Sequence, residues 1–150
     1  MDRRIADIEY QQMLLGRFSA SQHRPDDGVE RSAYLLLSRL HQQGPMSIGE
    51  LSVALRLDTS TVHRQTSSAM NAGLLERIHD PSGGIARKFN VTAEGEKRLL
   101  ATRQRSLTAL EHILDEWPDD DVNRFADYLS RFNLAIEGYG ERTARTGQNN

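Results

Sequence analysis

The side chains between Thr59 and Ser68 are almost all able to form hydrogen bonds. Serine and threonine hydroxyls suit phosphate oxygens, arginine suits guanine, and glutamine suits adenine in the major groove of DNA. Serine and threonine are indifferent helix formers, and a helix whose polar side only meets water would more often carry Glu, Lys and Ala. The residue types therefore favour a helix that binds nucleic acid over a helix with an inert surface.

Two short helices and a tight turn are predicted to position these side chains. Ser47 and Glu50 have the spacing of a capping box at the start of the first helix, which buries Leu51 and its neighbours at helical spacing. Asp58 or Thr59 caps the second helix. The second helix packs on the first through small side chains, namely Val62, Thr66, Ala69 and Gly73. This is a helix-turn-helix arrangement, in which the second helix contacts the bases.

Two predicted strands follow and complete a winged helix. They cover residues 74–79 and 87–91, and the turn-forming sequence DPSGG lies between them. Further helices are predicted over residues 1–22, 29–42 and 92–117, and from Asp119 onward. The last helix carries an apolar seam with heptad-like spacing, formed by Val122, Phe125, Leu129, Phe132 and Ile136. Because the winged unit lies in the middle of the chain, both ends must bury their apolar faces elsewhere.

The composition is that of an ordinary globular domain without thiol chemistry. The chain has 150 residues and no cysteine, which excludes disulfides and thiolate metal sites. No apolar stretch approaches the roughly 20 residues that span a bilayer, so no membrane partner and a cytoplasmic location are expected. The net charge of −2 is unevenly distributed: residues 56–92 carry five basic and three acidic side chains, and residues 111–150 four and nine. This asymmetry allows one end to face phosphate.

The order of elements and three motifs resemble the MarR family of bacterial transcription regulators. The motifs are GPMSIGELSVALRLDTSTVHR, AGLLERIHDP and VTAEG, and the resemblance covers roughly residues 5–137. It implies a mainly α fold with a small β-wing and a homodimer on a pseudo-palindromic operator of double-stranded DNA, with half-sites about one helical turn apart. The implied parts are an N-terminal dimerisation helix and loop (1–28), a winged helix-turn-helix DNA-binding domain (29–92), C-terminal dimerisation helices (93–137) and a polar tail (138–150).

Arg64 is the first candidate for a base contact, with an intramolecular partner such as Asp58 as the alternative. Ser60 and Thr61 are expected to hold phosphates at the N-terminus of the helix. The full set of predicted DNA-binding residues is Ser47, Thr59, Ser60, Thr61, His63, Arg64, Gln65, Ser67, Arg77, Arg87 and Lys88. Among these, the last three are phosphate candidates from the wing.

The wing departs from the pattern of the family. The family commonly has an aspartate and, two residues later, an arginine that enters the minor groove near the wing tip. Gly83 and Ile85 occupy these positions here, and neither forms an ion pair or meets a phosphate. Arg87 and Lys88 lie just beyond these two positions, but we assign the role of the family's wing-tip arginine to no residue of this chain.

The resemblance also implies a small-molecule effector, and Arg17, Tyr34 and His41 are the residues predicted for its cleft. His41 and His112, without cysteine or a His-x-x-x-His spacing, favour hydrogen-bonded histidines over a zinc site. The acidic residues 119–121 are explained by the start of a helix. No motif of a catalytic site occurs, so we expect no enzyme activity, no metal and no cofactor.

The predicted function is that of a dimeric DNA-binding regulator, a repressor released by a small molecule. One alternative is a regulator without effector, either an activator or an anti-silencer that acts by occupancy. An alternative from another class is a winged-helix protein-interaction module whose polar helix docks on a protein. Salt distinguishes these classes, because DNA binding weakens by about 0.9 log unit per phosphate contact for each tenfold rise in salt.

Overall fold

The computed structural model describes residues 3–21 and 29–147. The elements are α1 (Ile5–Ser21), α2 (Arg31–Gln43), α3 (Ile48–Leu55), α4 (Thr59–Asn71), β1 (Leu75–Ile78), β2 (Lys88–Val91), α5 (Ala93–Leu114) and α6 (Asp119–Gly147). The chain divides into two compact units, Met1–Leu107 and Thr108–Asn150, and α5 contributes to both. The predicted fold class, mainly α with a small two-stranded wing, is confirmed.

The first unit is built around an aliphatic core from α2, α3 and α4. Leu36 and Leu37 of α2, Leu51 of α3 and Val62 of α4 are completely buried. Phe89 of β2 is 2% exposed and belongs to the same core. Burying each such side chain is worth about 1.5–3 kcal/mol, so α4 is held firmly by its inner side.

Two backbone turns delimit the helix-turn-helix. Arg56 follows α3 in the left-handed conformation, with φ 53°, and begins the turn toward α4. At the end of α4, the Gly73 N–H donates to Met70 O and the Leu74 N–H donates to Ala69 O, both at 2.9 Å. Gly73 has φ +76°, as a Schellman motif requires. The prediction that Gly73 packs on the inner side of α4 is therefore wrong, because it ends the helix.

The wing is hydrogen-bonded to the segment that precedes α3. β1 and β2 are antiparallel, with Leu75 opposite Val91 and Ile78 opposite Lys88. The Phe89 N–H donates to Met46 O at 2.8 Å, and the Met46 N–H donates to Phe89 O at 3.2 Å. The base of the wing is thus joined by backbone hydrogen bonds to the helix-turn-helix.

Two predicted helix ends were wrong. α5 ends at Leu114 rather than Trp117, because Pro118 has no N–H to donate to Leu114 O, which instead accepts the Trp117 N–H at 2.8 Å in a tighter turn. α6 extends to Gly147, although fraying was predicted after Gly138. Two internal glycines, Gly138 and Gly140, cost about 1 kcal/mol each, too little to end a long helix. The predicted loop at residues 23–28, the first two residues, Gln22 and residues 148–150 lie outside the described residues.

Three helices carry apolar side chains that stay exposed in the single chain. They lie on α1, α5 and α6 and are between 37% and 55% exposed: Ile5, Ile8, Met13, Leu15, Leu107, Leu110, Ile113, Phe125, Leu129, Phe132 and Ile136. Within the second unit, the rings of Trp117 and Phe125 pack with their centroids 5.6 Å apart. Most of the predicted apolar seam of the last helix is therefore a surface feature of this chain.

Candidate nucleic-acid interface

The N-terminus of α4 is organised by the carboxylate of Asp58. Its Oδ1 accepts hydrogen bonds from the Thr61 backbone N–H at 2.7 Å and from Ser60 Oγ at 3.1 Å. The Thr61 hydroxyl and N–H, followed by the Ser60 hydroxyl, hold the pKa of Asp58 below its ordinary value. Asp58 is thus the N-cap, and Thr59 is the first helical residue.

The outer side of α4 is polar and accessible. Thr59, Ser60, His63, Arg64 and Ser67 are exposed, and Thr61 and Gln65 are half-buried. Arg64 influences Asp58 through its charge, but this effect ranks below those of Thr61 and Ser60 in lowering the pKa of Asp58. The structure therefore places five of the predicted contact residues of this helix on its accessible side, and Thr61 and Gln65 at the half-buried edges of that side.

The inner side of α4 explains why the helix is held in place. Val62, Thr66 and Ala69 are buried. The Thr66 hydroxyl donates to the carbonyl oxygens of Val62 at 2.8 Å and His63 at 3.1 Å, so its burial leaves no polar group unsatisfied. A rigid inner side and a polar outer side are what a helix in a DNA groove requires.

Ser47, another predicted DNA contact, caps α3. Its hydroxyl accepts the Glu50 N–H at 3.2 Å, and the residue is half-buried. This confirms the first half of the predicted capping box. The Glu50 carboxylate reaches across to the wing, where Oε1 lies 3.1 Å from Nζ of Lys88.

The cations of the wing lie on its strands and at the end of the loop that joins them, and none lies at the tip. The Arg77 guanidinium lies 5.5 Å from the centre of the Phe89 ring, within the range of a cation–π interaction. Arg87 precedes β2 and is exposed. At the tip, Gly83 has φ +87° and Ile85 is fully exposed. No charged side chain lies between Asp80 and Arg87.

Lys88 has intramolecular partners that the sequence did not suggest. Its Nζ lies 3.1 Å from Glu50 Oε1 and 3.7 Å from Asp80 Oδ2, and its side chain is 16% exposed. The hydrogen bond to Glu50, followed by the charges of Asp80 and Glu50, raises the pKa of Lys88. Glu50 and Asp80 are thus site residues that sequence reasoning missed.

A cavity of about 250 Å³ lies between α2 and the first half of α5. Its lining residues are Tyr34, Ser38, His41, Gln42, Leu99, Leu100 and Arg103. Tyr34 and His41, two of the predicted effector residues, are among them, whereas Arg17 is an exposed residue of α1. Arg103 was missed, although it interrupts a 3-4 repeat of leucines in α5 (Leu100, Leu107, Leu110 and Leu114) and could have been found by that irregularity.

Neither a metal centre nor a membrane-spanning element is found in the part of the chain that the structure describes. No three His, Asp or Glu side chains come together there in a way that could hold a metal ion. None of the helices over residues 3–21 and 29–147 combines the length and the apolar character needed to cross a bilayer.

Known proteins resemble both the sequence and the fold. The MarR family model matches residues 29–83. YxaD of Bacillus subtilis strain 168, an uncharacterized HTH-type transcriptional regulator, is 37% identical over 108 residues, which make up 72% of this chain and 76% of YxaD.

Solved structures show the same fold at lower identity. A MarR family protein from Bacillus stearothermophilus has a TM-score of 0.70 at 18% identity and covers 91% of this chain and 99% of its own. The transcriptional regulator PcaV from Streptomyces coelicolor, solved with its natural ligand, has a TM-score of 0.68 at 18% identity and covers 91% and 98%. With the winged helix-turn-helix in place and these relatives beside it, the chain belongs to the MarR family of transcriptional regulators.

Proposed function

We propose that this regulator is a homodimeric repressor that binds a pseudo-palindromic operator and is released by a small molecule. The observation that carries the proposal is the outer side of α4, where hydrogen-bonding side chains are exposed on a helix fixed by its buried inner side. In this proposal Arg64 contacts a base edge in the major groove. Ser60 and Thr61 are proposed phosphate contacts. On DNA their hydroxyls would leave Asp58 and donate to phosphate oxygens instead.

The dimer is supported by the apolar faces of α1, α5 and α6. A pseudo-palindrome presents the same contacts twice, so it needs two copies of α4. Apolar surface that a single chain leaves exposed on several helices is typical of an interface between subunits. On α6 the exposed side chains follow the spacing with which paired helices pack.

Release by an effector is supported by the cavity between α2 and α5. Its volume of about 250 Å³ is slightly below the roughly 300 Å³ at which pockets for drug-sized ligands begin, so it suits a small molecule. Tyr34, His41 and Arg103 offer it an aromatic ring and polar groups. A ligand that binds more tightly to a dimer whose two α4 helices have the wrong spacing for DNA would shift the population away from the DNA-binding form.

The test is a fluorescence-anisotropy titration of the protein with DNA from upstream of its own gene and with a scrambled duplex of equal length. We expect preference for the upstream DNA, two protomers per site and steep weakening by salt. Arg64→Ala should lose about 1–3 kcal/mol on the preferred DNA and much less on the scrambled one. Arg98→Ala is the matched control, because Arg98 is also an exposed helical arginine, paired with Glu94 at 2.8 Å.

Different outcomes would contradict different parts of the proposal. Equal losses for Arg64→Ala on both duplexes would refute its base contact. Absence of DNA binding at low salt would overturn the DNA-binding role and favour the protein-interaction module. A small-molecule screen would be run on the parent protein and then on His41→Ala and Arg103→Ala. If no small molecule weakens operator binding, the protein is a regulator that acts by occupancy.

A further inference from the structure

Three charged side chains meet at the base of the wing and form what we call the wing-root bridge. They are Glu50 in the first turn of α3, Asp80 just after β1, and Lys88 at the start of β2. Lys88 Nζ lies 3.1 Å from Glu50 and 3.7 Å from Asp80. The side chains of Lys88 and Asp80 are only 16% and 12% exposed, and that of Glu50 is 49% exposed. Lys88 and Asp80 are therefore mostly covered by neighbouring groups, whereas Glu50 stays half exposed, so salt screens the bridge only in part.

The wing-root bridge lies where the wing joins the helix-turn-helix. The neighbour of Lys88 in β2, Phe89, exchanges two backbone hydrogen bonds with Met46, just before α3. Those bonds, together with the buried side chain of Phe89, anchor β2 to the segment before α3. The ion pair between Lys88 and Glu50 adds a side-chain contact that joins β2 to α3 itself.

Asp80 extends the bridge into the turn that forms the wing tip. Its Oδ1 accepts hydrogen bonds from the Ser82 N–H at 2.9 Å and from Ser82 Oγ at 2.6 Å. A Cβ at Gly84 would lie 3.2 Å from Asp80 Cγ, so the chain folds closely over this carboxylate. The same carboxylate that contacts Lys88 thus shapes the tip.

We propose that Lys88 is a positioning residue that holds the wing against α3, so that wing and recognition helix meet DNA in a fixed relation. This inference rests on the proposed function, since the placement of the wing matters only to a DNA-binding protein. Two carboxylates outweigh the single ammonium, and the bridge as a whole carries one negative charge. Such a group repels phosphate, and the DNA contacts of the wing are left to other residues.

The sign of one substitution separates positioning from phosphate contact. If Lys88 bound phosphate, Glu50→Gln would free it and strengthen DNA binding. If Lys88 positions the wing, Glu50→Gln weakens operator binding, as Lys88→Met does. Glutamine retains the backbone N–H that Ser47 caps, and methionine retains an unbranched stem of similar length. Glu94→Gln is the matched control, because it also removes one exposed carboxylate and one ion pair, that with Arg98.

The experiment measures binding of the full chain to the best duplex selected from a randomised library of about three helical turns. We expect Lys88→Met and Glu50→Gln each to weaken operator binding roughly tenfold, near the lower end of the effect of one mismatched base pair. The double variant should also lose about tenfold rather than a hundredfold, because both changes break one bridge. The salt slope should be unchanged, and Glu94→Gln should bind as tightly as the parent or slightly tighter.

A second measurement needs no DNA. Amide exchange of Gly83 and Gly84 should accelerate in both variants of the bridge, whereas thermal unfolding shifts little. Stronger operator binding by Glu50→Gln, or a salt slope lowered by about 0.9 per protomer in Lys88→Met, would overturn the positioning role. Unchanged Gly83 and Gly84 exchange would also overturn it. Failure of the parent protein to select any duplex would refute the proposed function alone, and the exchange rates would still decide on the bridge.

Discussion

Gly95 provides a substitution whose effect is set by packing rather than by helix propensity. The residue is buried in the first turn of α5. A Cβ there would overlap the carbonyl oxygen of Leu74 and lie 3.0 Å from both that carbonyl carbon and Val91 Cγ1. The same carbonyl oxygen accepts the Thr92 N–H at 3.1 Å. The backbone at Leu74 therefore cannot withdraw without weakening its bond to Thr92, whose hydroxyl accepts the Gly95 N–H at the start of α5.

The expected free-energy change follows from two opposing contributions. Replacing glycine by alanine inside a helix ordinarily stabilises a protein by about 0.5–1 kcal/mol. Overpacking a filled site costs about 1–3 kcal/mol, and overlap with backbone places this cost at the upper end. Gly95→Ala should therefore lower the free energy of unfolding by about 2 kcal/mol, against the trend of helix propensity.

Urea unfolding followed by circular dichroism measures this change, at one fixed protomer concentration because a dimer gains stability with concentration. Gly49→Ala is the matched control, since a Cβ at Gly49 in α3 would meet only Ser47 Oγ at 3.9 Å. The control should be neutral or stabilised by up to about 1 kcal/mol. If Gly95→Ala were as stable as the parent, the close junction of α5 with the start of β1 would be refuted.

Three further predictions concern other parts of the first unit. Thr102→Val should cost about 1–3 kcal/mol in urea unfolding, because the buried Val29 N–H then loses its acceptor, Thr102 Oγ1 at 3.4 Å; no loss would contradict this. The hydrogen bonds of Thr61 lower the pKa of Asp58 in the folded protein from its ordinary value of 3.8. The stability that ionised Asp58 contributes is therefore complete above pH 3.8 and disappears as pH falls through the lowered pKa of the folded state. Asp58→Asn should flatten that acid limb in pH-dependent unfolding, and an unaltered limb would speak against it. Ile85→Arg should steepen the salt dependence of DNA binding by about 0.9 per protomer, which anisotropy detects; an unchanged slope would mean that the tip does not reach DNA.

The helix-turn-helix could be predicted because its signals are local. Ser47 and Asp58 each cap a helix by accepting the backbone N–H three residues further on. Ser47 is the cap that the sequence predicted for α3, and Asp58 is one of the two caps that it allowed for α4. The polar outer side of α4 follows from the inward period of Val62, Thr66 and Ala69. Signals of this kind need no knowledge of distant parts of the chain.

The ends of α5 and α6 were less predictable, because they do not depend on local signals alone. The effect of a helix-breaking residue has to be weighed against the stability of the helix that surrounds it. Pro118 lacks the N–H that would bond to Leu114 O and so shortens α5, whereas Gly138 only raises the free-energy cost of one helical residue and α6 continues. The proline effect could have been applied more strictly, but the outcome at the glycine depends on packing.

The charge at the wing shows why counting along the sequence misleads. Within residues 56–92, Lys88 contributed to an excess of positive charge, but Glu50 lies outside that range and takes up this ammonium together with Asp80. A distant carboxylate therefore removes from the DNA-facing charge a cation that local counting assigned to it. Arg77 and Arg87 remain as the exposed wing cations. Because the salt slope counts phosphate contacts, we expect the wing to add at most two such contacts per protomer.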